Sequence, residues 1–380
     1  MMATAWILTV LVIASAWAAD APERKQGKSM ADQRGLGRTW VEIDGTIYGA
    51  KPDERGPIGG GKGYIKVVTG GDRRAANLDQ LLAALEKARK GDVIYLDGNV
   101  EIDCTERIVT EGLVIAIPEG VTLAGNRGQE GSRGAIIFSD AFRTRPLIRI
   151  AGPDVRITGL RIRGPDPKRR LEHHRRAFGK GGKGRGYYYR FPISDGIATA
   201  HPRLEIDNCE LSAFSHAAVY LKAGDEHHIH HNFIHHNQYQ GLGYGVCHNT
   251  AFSLIEHNLF NYNRHSIAGT GRPSSGYEAG HNVELGESLS HCFDMHGGRD
   301  RKDGTNIAGT RLKIHHNTFR SPRTAIMIRG LPEKQAQIHH NWFYHRTSRE
   351  AVGSAGRTRV RDNAYDLAEP KLLDPAEGTK

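Results

Sequence analysis

One short pattern recurs through the second half of this 380-residue chain: an aliphatic residue, two polar residues, Asn, any residue, then a large apolar residue. It reads Ile229-His-His-Asn232-Phe-Ile, Ile255-Glu-His-Asn258-Leu-Phe, Ile314-His-His-Asn317-Thr-Phe, Ile338-His-His-Asn341-Trp-Phe and Val360-Arg-Asp-Asn363-Ala-Tyr. Weaker copies are Ala279-Gly-His-Asn282-Val-Glu and Ile206-Asp-Asn-Cys209-Glu-Leu, the latter with Cys in the Asn slot. The slots fall at 209, 232, 258, 282, 317, 341 and 363, so the spacing is 22–26 residues except for one interval of 35. The long interval is placed near Gly297–Asn306. A fixed period of this size means a solenoid, in which each unit buries its apolar face only against its neighbours. The units are short, β-branched and aromatic, with Gly-rich ends, so each is a coil of short strands. An Asn at the same turn of every coil can hydrogen-bond along the stack and satisfy buried backbone groups.

These repeats resemble those of the right-handed parallel β-helix, pectate-lyase-like superfamily, with its PbH1-type repeats, over roughly residues 90–366. The resemblance implies an all-β fold, a right-handed parallel β-helix. It leaves the reaction open, because that fold hosts lyases, hydrolases, epimerases and non-catalytic proteins. The preceding segment fits. Asn77-Leu-Asp-Gln80 is a capping box, and Leu78, Leu81, Leu82, Leu85 and Ala88 form one apolar stripe, which predicts an N-terminal capping α-helix over about 77–90. Such a helix hides the unpaired edge of the first coil.

The apolar run Ala5–Trp17, ending in Ser15-Ala-Trp-Ala-Ala19, reads as a signal peptide at 1–18. A secreted or periplasmic protein is therefore expected, without stable membrane insertion after cleavage, and mean hydropathy of −0.51 excludes a polytopic membrane protein. The remaining boundaries are an N-terminal extension at 19–63, the β-helix domain at 64–366 and a tail at 367–380. Export permits disulfides, and Cys104, Cys209, Cys247 and Cys292 allow three full pairings, none preferred by the sequence. A monomer is expected.

The chain carries 52 Lys+Arg against 42 Asp+Glu, a formal charge of +10. Much of it sits in a basic insertion at about 167–190, which contains nine Lys/Arg, one Glu and the run Tyr187-Tyr-Tyr189. Cations beside aromatic rings suit an anionic polymer, and export points to an acidic polysaccharide rather than nucleic acid.

The strands that follow the Asn slots align on their Gly-rich ends as Val219–Lys222, Leu242–Gly245, Ile267–Thr270, Phe293–His296 and Ile326–Arg329. Strand alternation then places Tyr220, Gly243, Ala268, Asp294 and Met327 in one outer column, and Lys222, Gly245, Thr270, His296 and Arg329 in the next. Small residues flanked by chargeable ones describe a groove. The loops Arg264–Glu278 and Ser290–Gly298 add His265, Arg264, Arg272, Tyr277, Glu278 and His291.

The chemistry this set fits best is β-elimination on a uronate polysaccharide. The proton beside the sugar carboxylate is weakly acidic until Arg or Lys neutralises the carboxylate, a task for Arg329 or Lys222. His296, His265 or Tyr277 would move protons, and Asp294 would orient His296 or bind a cation. Tyr220, Arg264, Arg272, Tyr187, Tyr188 and Arg190 would hold substrate. His291-x-x-Asp294-x-His296 offers a divalent site for Zn or Mn, or for Ca, for which the sequence shows no dense carboxylate cluster. The alternatives are a glycoside hydrolase using Glu278 and Asp294, a C5-epimerase, or a binding protein without catalysis. The column His231, His257, His281, His316 and His340 precedes five of the Asn slots and reads as a structural stack.

Overall fold

A computed structural model describes residues 36–373, which lie in one compact unit; the expected signal peptide and the end of the tail fall outside these residues. The repeats coil into a right-handed parallel β-helix with three faces. The first face stacks Ile115–Ile117, Ile148–Ile150, Asp195–Thr199, the first halves of Ala217–His230 and Tyr244–Glu256, then His265–Gly269, Phe293–Met295, Ile326–Ile328 and Val352–Ser354. The second face runs from Arg73–Arg74 to Thr358–Val360, and the third from Glu101–Asp103 to Ala364–Tyr365. Ala217–His230 and Tyr244–Glu256 bend round the corner between the first two faces without a break.

Alternation builds the core. Val219, Val246, Ile267, Phe293 and Ile326 are in register and fully buried on the inner side of the first face. The inner column of the third face reads Leu211, Ile234, Phe260, Glu284, Phe319, Phe343 and Tyr365. Glu284 is the anomaly in that column: it is 1% exposed, and neither carboxyl oxygen has a hydrogen-bond partner. Burial pushes its pKa up to about 8, with only partial relief from the Ser266 hydroxyl. A carboxyl raised in the fold stabilises fully below its unfolded value, and that contribution is lost as pH rises through about 8. Glu284→Met is therefore expected to stabilise the protein, and the gain in urea unfolding should be about 3 kcal/mol larger at pH 8 than at pH 5. A gain that does not change with pH would contradict this reading.

The Asn slots form the ladder expected of them. Asn258 Oδ1 accepts from the Asn232 N–H at 3.0 Å, and its Nδ2 donates to Ile229 O at 2.8 Å. The same bonds repeat through Asn282, Asn317, Asn341 and Asn363. A shorter second ladder, Asn237 to Asn263, serves the corner between the third and first faces. The histidine column before the slots is a ring stack with centroids 4.9 Å apart, each residue at φ 52–56°.

Residues 36–64 lie along this histidine corner. Gly49 N–H donates to His340 O, Gly59 N–H to His257 O, and Tyr64 hydroxyl to Asp207. Gly60 must be glycine: it has φ +64°, and a Cβ would collide with the His231 carbonyl oxygen.

The capping helix spans Leu78–Glu86, shorter than the expected 77–90, and buries Leu81, Ala84 and Leu85 against the first coils. Asn77 caps it by accepting from Gln80 N–H at 3.0 Å. The basic insertion folds into two helices, Leu171–Phe178 and Gly184–Tyr188. The Arg170 guanidinium pairs with buried Asp166 and lies over the Phe191 ring at 4.7 Å, which pins the insertion down. All four cysteines are buried and unpaired, so no disulfide forms among them. Among the described residues no helix is long and apolar enough to cross a membrane.

Candidate active groove on the first face

The outer column of the first face is Tyr220, Cys247, Ala268, Asp294 and Met327. The sequence alignment places four of these correctly and misplaces one. The copy in the third coil begins at Val246, not Leu242, so Cys247 rather than Gly243 faces outward. The cause is the turn before it. Gln238–Gly243 extends outward to hold the insertion: Gln240 N–H donates to Arg169 O at 2.8 Å, and the Tyr188 hydroxyl donates to Gln240 O at 2.7 Å. Cys247 and Ala268 are small, which leaves a depression between Tyr220 and Asp294. Beside it runs a row of near-parallel rings at the strand starts. Tyr244 and His265 have centroids 5.8 Å apart, and His265 and His291 5.6 Å apart.

Asp294 anchors one pole. It is fully buried, and the Arg329 guanidinium grips it with Nε at 2.9 Å from Oδ1 and Nη2 at 3.0 Å from Oδ2. His291 Nδ1 lies 3.3 Å from Oδ1. His296 Nε2 lies 2.9 Å from Oδ2, off the angle of a hydrogen bond. Burial opposes ionisation of Asp294, but His265, His291 and His296 outweigh it and hold the carboxyl well below the ordinary range. His265 donates its Nδ1–H to His291 O at 2.6 Å, so its bare Nε2 faces Asp294 Oδ2 at 3.9 Å with no hydrogen bond. Burial pushes the His265 pKa down to about 3, which keeps the ring neutral.

The expected metal trio His291, Asp294 and His296 is not the one the fold assembles. His265, His291 and Asp294 bring one donor atom each within 4.8 Å of the others. The donor types suit a transition metal, but the Arg329 fork already covers both Asp294 oxygens, so a cation there would have to displace a guanidinium.

The other pole went unrecognised in the sequence. Asp195, 3% exposed, begins a first-face strand and bonds His216 Nδ1. Arg145 Nε lies 3.0 Å from its other oxygen. Burial raises the Asp195 pKa, but His216 and Arg145 more than offset this and lower it. The His216 ring stands edge-on to Tyr220 at 5.1 Å and to Tyr244 at 5.6 Å. Its Nδ1 is committed to Asp195. Asp195 and Asp294 are four coils apart, about 19 Å at ~4.8 Å per coil.

Cations rim the groove. Lys222 Nζ lies 5.7 Å from the Tyr220 ring centre, and the Arg264 guanidinium 6.0 Å from that of Tyr244. Arg264 is half-buried, and Arg272 is exposed near Tyr220. Arg145 also lines a shallow depression with Arg143, Tyr189, Arg190 and Phe191, so the basic surface of the insertion runs into the groove.

Three expected positions are corrected. Tyr277 points into the core of the second face, 2% exposed and 5.4 Å from the His248 ring, with its hydroxyl unpartnered. Glu278 points outward from that same second face, paired with Lys313 and His315 at 2.9 Å each, so it cannot flank a bond together with Asp294. Both errors share one cause: residues from Gly276 onward pair with the second-face strands of neighbouring coils. Tyr188 is 2% exposed and packs against Tyr239 and His173, which removes it as a sugar platform; Tyr187 is half-buried on His173. Tyr189 and Arg190 are the exposed members of that run.

No protein-family model and no curated protein matches the chain. Among solved structures the chain is similar to an alginate lyase from Paenibacillus sp. str. FPU-7, at 14% identity over 77% of this chain and 97% of that one, with a TM-score of 0.49. It is also similar to a Family 28 exopolygalacturonase from Yersinia enterocolitica, at 11% identity over 76% of this chain and 62% of that one, with a TM-score of 0.47.

Proposed function

We propose that the first face is the substrate groove of an exported polysaccharide lyase that cleaves a uronate-containing polysaccharide by β-elimination. The observation that carries this is the Asp195–His216 pair, which commits Nδ1 and turns the ring toward Tyr220 and Tyr244 at the floor of a cation-rimmed groove. A buried carboxylate that holds one ring nitrogen fixes the tautomer and leaves the other nitrogen as a base.

In the reaction, Arg145, Arg272 or Lys222 neutralises the sugar carboxylate and so acidifies the adjacent C5–H. His216 Nε2 takes that proton. The C5–H electron pair forms the C4–C5 double bond, the C4–O bond breaks, and the leaving oxygen takes the phenol proton of Tyr244. Burial pushes the Tyr244 pKa up, so the phenol is the acid and not the base. His291, His296 and Arg329, with side chains 26–28% exposed, are placed to hold a carboxylate farther along the polymer.

Hydrolysis needs two carboxyl groups about 5–9.5 Å apart, one of them protonated. Asp195 and Asp294 are both held ionised and about 19 Å apart, so the groove favours elimination. The test is a panel of alginate, pectate, glucuronan and sulfated glycosaminoglycans, followed by ultraviolet absorbance. Absorbance from unsaturated uronate is expected on at least one polymer. New reducing ends without absorbance would establish hydrolysis instead, and binding without either signal a carbohydrate-binding protein.

A further inference from the structure

The histidine corner holds a cluster that the groove does not use. In most coils the residue before the stacked histidine is polar, and where it is His the two rings meet through their Nδ1 atoms: His230 with His231 at 3.0 Å and His339 with His340 at 2.8 Å. The coil of His281 breaks this rule, because Gly280 precedes it. A Cβ at Gly280 would lie 2.7 Å from His315 Cε1, so the glycine is what lets the His315 ring fold over its neighbouring coil. His281 is left with a buried Nδ1 that has no hydrogen-bond partner. His315 keeps its own Nδ1 against His316 Nδ1 at 3.0 Å. One donor atom from each of His281, His315 and His316 lies within 4.8 Å of the other two.

Glu278 completes the arrangement. Its Oε1 is 2.9 Å from His315 Nε2, which places the ring proton on Nε2 and leaves the Nδ1 lone pair facing the other two rings. A carboxylate behind an imidazole, on the side away from the ligating nitrogen, is the usual outer partner of a metal-bound histidine. Lys313 shares the same Glu278 oxygen and balances its charge.

We propose that His281, His315 and His316 bind one divalent transition metal of the zinc class, with Glu278 as the positioning carboxylate. Three imidazoles suit Zn²⁺, Co²⁺, Ni²⁺ or Cu²⁺ and exclude Ca²⁺, which takes oxygen ligands. Tetrahedral Zn–N bonds of 2.0–2.1 Å set nitrogens about 3.4 Å apart, so the His315–His316 pair, at 3.0 Å, opens slightly and His281 closes in around the ion. All three residues are half-buried, with the His281 Nδ1 itself sealed from solvent. Burial pushes the His281 pKa down to about 4 and that of His316 to about 3, so the rings are neutral ligands at pH 7. The two coils joined are those separated by the longest excursion in the repeat, the connection between Phe293–Met295 and Arg311–His315. The metal would clip that excursion closed. The site faces away from the groove and does not rest on the lyase reading.

The test uses untagged, chelator-stripped protein. ZnCl₂ alone, titrated by calorimetry, is expected to bind at one ion per chain, and to raise Tm by about 5 °C at a hundredfold excess over Kd. CoCl₂ should give the intense visible bands of a tetrahedral site. His315→Ala should abolish both signals, and Glu278→Gln should weaken Zn²⁺ about tenfold. Three controls address the other candidate clusters: His228→Ala, in the Glu205–His228–His230 group, Asp53→Asn, in the Asp53–His231–His257 group, and His291→Ala, in the groove, should leave binding unchanged. Absence of Zn²⁺ binding to the unmutated chain overturns the proposal. So does loss of binding in His228→Ala, Asp53→Asn or His291→Ala with retention in His315→Ala. If His315→Ala does not fold, His281→Gln replaces it.

Discussion

His216→Ala is expected to lower kcat on a uronate polysaccharide roughly 1,000-fold with little change in KM, the size of effect a positioned general base supplies. The ring is mostly buried: its Nδ1 bonds Asp195, and its edges meet Tyr220 and Tyr244. A circular dichroism spectrum like the parent's is expected, with a lower Tm because buried Asp195 keeps only Arg145 as its partner. Asp195→Asn should act through the tautomer. It keeps the shape but lets Nδ1 accept instead of donate, and activity should fall about a hundredfold. Arg145 is then left without its carboxylate partner. If His216→Ala retains full turnover while His291→Ala loses it, the base belongs at the Asp294 pole and the mechanism proposed for this groove is wrong.

The second large effect concerns the scaffold. Asn282→Leu is expected to cost about 5 kcal/mol, because it orphans several buried groups at once, each worth about 1–3 kcal/mol. Asn282 Oδ1 accepts from the Asn258 N–H and from Asn258 Nδ2, both at 3.0 Å. Its Nδ2 donates to Ile255 O at 2.8 Å and to Asn317 Oδ1 at 2.9 Å. All of these partners sit in the sealed interior of the corner, where no water substitutes. The same change at Asn363, the last rung, should cost visibly less, since one side of the ladder ends there and the site is 3% exposed. Urea unfolding of the two variants side by side measures the difference. Equal losses would mean that the ladder is not cooperative along the stack.

These two predictions rest on different kinds of legibility. The ladder was readable because every coil from 232 onward spends the same residue at the same turn, and a recurring polar residue in an apolar frame has few physical uses. The histidine stack was readable for the same reason. The groove was only half readable. Asp294 and His296 stand out because no neighbouring coil repeats them, and they do line the first face. Asp195 and His216 lie where the Asn slot is absent or replaced by Cys209, so the register that exposes anomalies was missing there. A local signal does exist: Ser194-Asp195-Gly196 and Ser215-His216-Ala217 share the form Ser, charged or titratable, small, one coil apart. The two serines bond each other's backbone N–H groups and align the pair.

Tyr277 and Glu278 show the opposite failure. They follow a Gly-rich stretch that reads as a loop, and the reading extended that loop beside the groove. Backbone pairing decides otherwise: Gly276–Gly280 matches Phe252–Glu256 and Arg311–His315 residue for residue, and puts both side chains on the second face. Where a coil turns its corner is set by which neighbouring strand it can hydrogen-bond, and one coil read alone does not contain that information. The basic insertion was legible only in its charge. Its composition suggests rings and cations offered to an anionic polymer, yet His173, Tyr188, Tyr239 and Phe191 form an aromatic cluster that only a partner turn at 238–243 makes possible.

The measurement that bears most directly on the central claim is cleavage in H₂¹⁸O with mass spectrometry of the oligosaccharide ends. Elimination breaks the C4–O bond without water. The account predicts products with no solvent ¹⁸O introduced by bond cleavage at the new reducing end, and an unsaturated new non-reducing end 18 Da lighter than that of a hydrolytic product. The free reducing end exchanges with solvent slowly, and a matched product incubated without enzyme corrects for it. One ¹⁸O per cleavage above that control, on products of full hydrolytic mass, would contradict the account and make the first face a hydrolase groove.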